Sequence, residues 1–209
     1  MRQTSVTLLT AALLAGAAVL PVRAQEPTTT IRLGDAMPMA DVKMKNVDGR
    51  ELSFAEVRGS KGTLVIFACN HCPWVRAWEP RMVALGNQYS KRGIGVVAVN
   101  PNDPAAYPED DLPGMQARAK QRGMTYPYVV DATSDVARAF GASHTPEAFL
   151  FDRGGKLVYH GAIDDNARDP KKVKSRYLED ALKATAAGKP VPVAESKSLG
   201  CTIKFRAKA

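Results

Sequence analysis

The residues of this 209-residue chain best suited to covalent chemistry are three cysteines, Cys69, Cys72 and Cys201. Two of them stand in Cys69-Asn70-His71-Cys72-Pro73, where an apolar run ending at Phe67 gives way to a helical pattern carrying Val75 and Trp78. A thiol at a helix start faces unpaired N–H groups and the positive end of the helix dipole, which stabilise its thiolate. Two intervening residues let the second sulfur, one turn further in, reach the first and close a small disulfide. The same spacing is also half of a zinc site, but neither a second CxxC nor a paired-His motif completes four ligands. Two inert buried thiols are the remaining structural reading. Cys201 lies in Gly200-Cys201-Thr202-Ile203, an apolar patch within a basic tail, and reads either as a third redox thiol or as a buried hydrophobe.

The elements that position these residues follow from periodicity. Val42, Met44 and Asn46 alternate with lysines, Asp48-Gly49 supplies a turn, and Glu51-Leu52-Ser53 returns, a pattern that predicts a β-hairpin. Ser53 and Glu56 have capping-box spacing, which predicts a helical turn over Phe54 to Val57. Thr63 to Phe67 reads as a strand covered on both faces. Val75, Trp78, Met82, Leu85 and Tyr89 then form one helical stripe that stops before Gly93, with an expected kink at Pro80. Strands are expected at Ile94 to Val99, Tyr128 to Val130, Ala148 to Phe151 and Leu157 to His160. Helices are expected at Met115 to Arg122, at Ser134 to Phe140, and from Asp169-Pro170 along Val173, Tyr177, Ala181 and Thr185. Asn100-Pro101-Asn102-Asp103-Pro104 reads as a turn, although it follows the carboxyl end of a strand, where α/β proteins place ligand sites. The order predicts an α/β fold with a central mixed β-sheet flanked by helices.

The ends are of other kinds. Met1-Arg2, the apolar run from Val6 to Leu20 and the exit Val22-Arg23-Ala24 have the pattern of a cleaved secretory signal over 1–24. That run is shorter than the ~20 residues a bilayer needs. The chain is therefore expected to be exported, periplasmic or otherwise extracytoplasmic, without stable membrane insertion after cleavage. Residues 25–40 read as a flexible lead-in, 41–188 as the domain, and 189–209 as a basic tail carrying Cys201. The formal charge of +8 is spread over clusters at Arg118 to Arg122, Lys171 to Arg176 and Lys204 to Lys208. No aromatic residues interleave with them as a stacking platform needs, so they read as solvated helix faces and a basic tail, with no nucleic acid as partner.

From about Asp41 to Gly188 the chain resembles the thioredoxin superfamily, specifically the exported TlpA/ResA-like branch and the AhpC/TSA-type redoxins. The residues that match in order are the Asp48-Gly49 hairpin, Leu52-Ser53-Phe54, the strand entering CxxC, and Thr145-Pro146 before Ala148 to Phe151. The resemblance implies a thioredoxin-like fold with an N-terminal β-hairpin and an exported thiol-disulfide oxidoreductase. Its only redox group would be the Cys69-Cys72 disulfide, with no separate cofactor and no metal. In that scheme Cys69 is the nucleophile, Cys72 the resolving thiol, His71 a tuner of the Cys69 thiolate, and Pro146 a cis-proline beside them. Thr145 and Trp74 would line the substrate site, with Cys201 as a candidate third thiol. Partners would be a protein or small-molecule thiol or disulfide substrate and an upstream redox protein. The chain departs from the thioredoxin pattern at Thr63, where the buried acid would stand, and in the late position of the helix proline.

Two other functions share these residues. One is a peroxiredoxin-like thiol peroxidase using Cys72 or Cys69, although the threonine that family places three residues before its cysteine is replaced here by Cys69. The other is a copper-handling thioredoxin-like binding protein in which His144 or His160 completes a soft Cys/His site.

Overall fold

The computed structural model describes residues 31–207; the signal expected over 1–24 and residues 25–30 of the lead-in lie outside the described residues. Among the described residues the chain forms β1 (Met44–Asn46), β2 (Glu51–Leu52), α1 (Phe54–Val57), β3 (Gly62–Phe67), α2 (Pro73–Ser90) and β4 (Ile94–Asn100). It continues through α3 (Leu112–Arg122), β5 (Tyr128–Val130), α4 (Asp135–Phe140), β6 (His144–Thr145), β7 (Glu147–Asp152), β8 (Leu157–Gly161), α5 (Tyr177–Ala186) and β9 (Cys201–Thr202). The main sheet has the order β2-β1-β5-β4-β3-β7-β8. β3, β4 and β5 run parallel, and the hairpin at one edge and β7-β8 at the other pair antiparallel. This is the mixed, helix-flanked sheet expected from the sequence.

β3 lies inside the sheet between β4 and β7, and every one of its residues is buried, as a strand covered on both faces requires. Its side chains alternate between two cores. Leu64 and Ile66 join Trp78, Met82, Val96, Tyr128, Leu150, Leu178 and Leu182 on one face. Val65 and Phe67 join Phe54, Val97, Val99, Phe140, Phe149 and Phe151 on the other. Phe140 meets Phe54, Phe67, Phe149 and Phe151 edge-on at centroid distances of 5.3–5.9 Å, so the short α4 is held by aromatic packing.

The capping box at Ser53 forms as its spacing implies: Ser53 Oγ accepts from Glu56 N and Glu56 Oε2 accepts from Ser53 N. Ser53→Ala is expected to lower stability by about 1 kcal/mol, read from the urea midpoint at unchanged m-value.

Three expectations need correction. The last helix begins at Tyr177, not at Asp169-Pro170, which open only a 3-10 turn over Pro170–Lys172. The buried stripe is accordingly Leu178, Ala181, Leu182 and Thr185, and Val173 lies before the helix. The part of the lead-in within 31–40 is tied to the domain rather than flexible: Ile31 N donates to Phe140 O, Gly34 N to Leu157 O, Met37 N to Gly155 O, and Leu157 N to Asp35 O. Composition alone does not reveal such backbone pairing. α2 continues on both sides of Pro80, whose ring is exposed. Finally, the basic cluster at Arg118 to Arg122 is not a solvated face throughout. Arg118 donates two 2.7 Å bonds to the buried Glu79 of α2, and Arg122 lies 2.6 Å from its second oxygen, so α3 neutralises a carboxylate of α2. No helix among the described residues is long and apolar enough to cross a membrane.

Candidate functional site

The site is built where β3 ends and α2 begins. Cys72 is the N-cap residue of α2 and Pro73 its first residue, a position at which the missing proline N–H costs nothing. Cys69 therefore sits on the loop one turn before the helix, with Cys72 at the unpaired N–H groups of its start. All three cysteines are free thiols. Cys69 Sγ lies 3.2 Å from Thr145 Oγ1, Cys72 Sγ lies 3.2 Å from Thr145 O, and the Thr145–Pro146 peptide bond is cis. The expected site residues Cys69, Cys72, Thr145 and Pro146 are thus brought together by β3, α2 and β6. Trp74 is half-buried on the first turn of α2, tilted against Trp78 at 5.9 Å.

The three thiols shift one another's ionisation. Hydrogen bonds from the Cys69 thiol, from Cys201 and from the Val75 N–H hold the Cys72 thiol well below the ordinary range, against the opposing effect of burial. Donation to Cys72, burial and the nearby charge of Asp110 push Cys69 far up. The lowered thiol of the pair is therefore Cys72, the N-cap residue at the unpaired N–H groups of α2. Ultraviolet thiolate absorbance is expected to persist well below the pH at which an ordinary cysteine protonates, near ~8.5, and to be lost in Cys72→Ser.

Asp110 organises the loop. It is buried at the end of a 3-10 turn over Pro108–Asp110. Its Oδ1 accepts from Asn70 N at 2.6 Å and His71 N at 3.3 Å, and its Oδ2 accepts from Asn102 Nδ2 at 2.9 Å and pairs with His71 Nδ1 at 2.6 Å. The other face of the loop is bonded through Asn70, whose Nδ2 donates to Glu109 O and whose Oδ1 accepts from Tyr128 OH. His71 is therefore directed at Asp110 and stacked on Tyr107 at 3.6 Å, and its bonded partner is the carboxylate rather than Cys69. The tuning expected of His71 at the Cys69 thiolate is accordingly indirect.

Sequence reasoning missed Asp110. Nothing in Tyr107-Pro108-Glu109-Asp110-Asp111 distinguishes it from its acidic neighbours, and its partners lie about 40 positions earlier in the chain. Asn102, read as a turn residue, bonds Asp110 and also accepts from Lys204 N.

The histidines proposed for a soft metal site are engaged elsewhere. His144 Nδ1 contacts Ser143 Oγ at 2.8 Å, and His160 Nε2 pairs with the buried Glu147 at 2.7 Å. Among the described residues the group with metal-ligand proximity is instead Cys69, His71 and Asp110, whose ligand atoms lie within 4.8 Å of one another. Both Asp110 oxygens already accept two bonds each, so the donor set suits a hydrogen-bonded hub better than a soft-metal centre.

Known proteins resemble the chain over this region. The profile of the AhpC/TSA family matches residues 33–160. Thiol-disulfide oxidoreductase ResA of Geobacillus thermodenitrificans is 30% identical over 129 residues, 62% of this chain and 68% of that protein. ResA of Halalkalibacterium halodurans is 26% identical over 115 residues, 55% of this chain and 61% of that protein. The crystal structure of a hypothetical protein from Sinorhizobium meliloti superposes with a TM-score of 0.79 at 37% identity, over 86% of this chain and 98% of that one. A thioredoxin-like protein solved in the oxidized form shares the fold, with a TM-score of 0.59 at 21% identity over 74% of this chain and 97% of that one. The family match spans β1 to β8, with the cysteine pair and the cis-proline strand inside it, and the chain belongs to the AhpC/TSA family, as a redoxin of thioredoxin-like fold.

Proposed function

We propose that the protein is an exported thiol-disulfide oxidoreductase that exchanges disulfides through Cys69 and Cys72. The observation that carries this reading is the placement of both thiols at the start of α2 against the cis Thr145–Pro146 bond. The relatives named thiol-disulfide oxidoreductase support the same chemistry. Export rests on the signal pattern of residues 1–24.

In the reducing direction, the Cys69 thiolate attacks one sulfur of a substrate disulfide. A Cys69–substrate disulfide forms and the other substrate sulfur leaves as thiolate. Cys72 then attacks Cys69 Sγ, closing the Cys69–Cys72 disulfide and expelling the second substrate thiolate. The substrate gains two electrons and the pair loses two. The Cys69 thiol is pushed up in this closed arrangement, so it must lose its proton before attack, and exchange is expected to quicken as pH rises. An upstream redox protein would return the pair to its starting state.

The test is turnover of a peptide disulfide with dithiothreitol as electron source. A rate no faster than dithiothreitol alone refutes the reading. Peroxide consumption far above that of a free thiol would replace it with the peroxidase alternative.

A further inference from the structure

The tail beyond α5 returns to the cysteine pair, although it lies past the residues matched by the family profile. It is fastened on both sides of Cys201. Upstream, His160 N donates to Ala194 O and Ser196 N to His160 O. Downstream, Ile203 N donates to Ser143 O, Lys204 N to Asn102 Oδ1 and Asp103 N to Lys204 O. Between these anchors β9 adds antiparallel to β6, with Cys201 opposite Thr145, so an extended segment pairs with the strand that carries the cis bond. Main-chain pairing of this kind sets register, and register sets which side chain meets the site.

The approach is close enough to dictate a residue type. A Cβ on Gly200 would lie 2.3 Å from Thr145 O and 2.7 Å from Thr145 C, so only glycine lets the tail seat at this depth. Cys201 Sγ thereby reaches 2.7 Å from Cys72 Sγ. Cys69 and Cys72 are sealed, at 1% and 0% exposure, whereas Cys201 is partly exposed. Of the three cysteines, the partly exposed one is on the tail.

We propose that Cys201 is a third redox thiol that takes over the disulfide from Cys69. The proposal rests on the reading that a substrate disulfide oxidises the Cys69/Cys72 pair. The Cys201 thiolate attacks Cys72 Sγ, the Cys72–Cys201 bond forms, the Cys69–Cys72 bond breaks, and Cys69 leaves as thiolate and takes up the proton that Cys201 released. No electrons are gained or lost in this step. It moves the oxidised sulfurs to a bond with one exposed end, where a reducing thiol has access, and it returns Cys69 to the free form.

The test oxidises the protein under native conditions with oxidised glutathione, quenches with acid, alkylates, and maps disulfides by peptide mass spectrometry. Wild type is expected to show a Cys72–Cys201 linkage beside Cys69–Cys72, and Cys69→Ser to form Cys72–Cys201 in most molecules. Gly200→Val keeps all three thiols but unseats the tail, and is expected to lose the Cys72–Cys201 linkage while retaining Cys69–Cys72. A Cys69→Ser protein whose Cys72 and Cys201 stay alkylatable, while wild type forms Cys69–Cys72, overturns the proposal and leaves the oxidoreductase reading standing. Wild type showing Cys72–Cys201 but never Cys69–Cys72 refutes that reading's pairing and establishes the tail disulfide instead. Equal Cys72–Cys201 yields in Gly200→Val and wild type also overturn the proposal, since the linkage would then owe nothing to the seated tail.

Discussion

Cys69→Ser is expected to lower disulfide turnover by at least roughly a thousandfold, equivalent to about 4 kcal/mol of lost transition-state stabilisation. A serine hydroxyl is nearly isosteric but scarcely ionises, and thiolate is the attacking species in exchange. The hydrogen bond to Thr145 Oγ1 is one a hydroxyl can also make, so the fold should be preserved. Cys72→Ser should behave differently: attack by Cys69 remains, resolution is lost, and the protein accumulates as a mixed disulfide with its substrate. The two variants are compared in single-turnover assays, with gel-shift detection of the trapped species. Retention of full turnover by Cys69→Ser would remove Cys69 from the role of nucleophile. If instead Cys72→Ser lost attack altogether, the helix-start thiolate on Cys72 would be the attacking group.

The second large effect concerns stability. Asp110→Ala leaves four donors of the active-site loop without an acceptor, namely Asn70 N, His71 N, His71 Nδ1 and Asn102 Nδ2. Buried donors without partners are costly to leave. The combined loss is expected at about 3–5 kcal/mol, the scale of a broken buried charge pair. At this chain length that corresponds to a fall in Tm of roughly 10 °C. Asp110→Asn keeps the shape and one acceptor oxygen, and should cost less than half as much. It also separates structure from electrostatics. Because the Asp110 charge helps to push the Cys69 thiol up, its removal must bring that thiol down. Iodoacetamide kinetics of a background lacking the other two thiols, Cys72→Ser with Cys201→Ser, with and without Asp110→Asn, read this shift at Cys69 alone. An unchanged titration would mean that Asp110 acts only as a structural acceptor.

Local chemistry was well legible in the sequence. The hairpin, the Ser53 capping box, the β3 run and the α2 stripe depend on neighbours within a few residues, and each formed close to its expected limits. The helix expected from Asp169 failed for a related reason. Asp-Pro is a sound opening signal, and it does open a turn, but the apolar stripe that anchors a helix starts only at Leu178. What pattern could not reveal was anything fixed by the meeting of distant segments. Asp110 matters because the loop before α3 crosses the mouth of α2, Glu79 because α3 supplies two arginines, and Cys201 because β9 finds β6 across the full length of β7, β8 and α5. Length and charge gave no sign of these. The CxxC placement was readable from the sequence; the distribution of charge between its two sulfurs depends on which hydrogen bonds each receives in three dimensions.

The two-residue strand β9 has a consequence for how often the site is open. By Gly161 every strand of the main sheet is complete, so the sheet's own pairing does not depend on the tail that covers the cysteine pair. That cover is held by backbone bonds, side-chain bonds through Ser196, Ser198 and Arg138, and one buried side chain, Ile203, against a sheet whose interior strands are almost wholly buried. Its detachment therefore belongs to the low-free-energy end of the molecule's local unfolding spectrum, far below global unfolding. Substrate would meet Cys69 at a frequency set by this fraying equilibrium, which makes the tail's grip on Ser143, Asn102 and His160 a determinant of turnover rate.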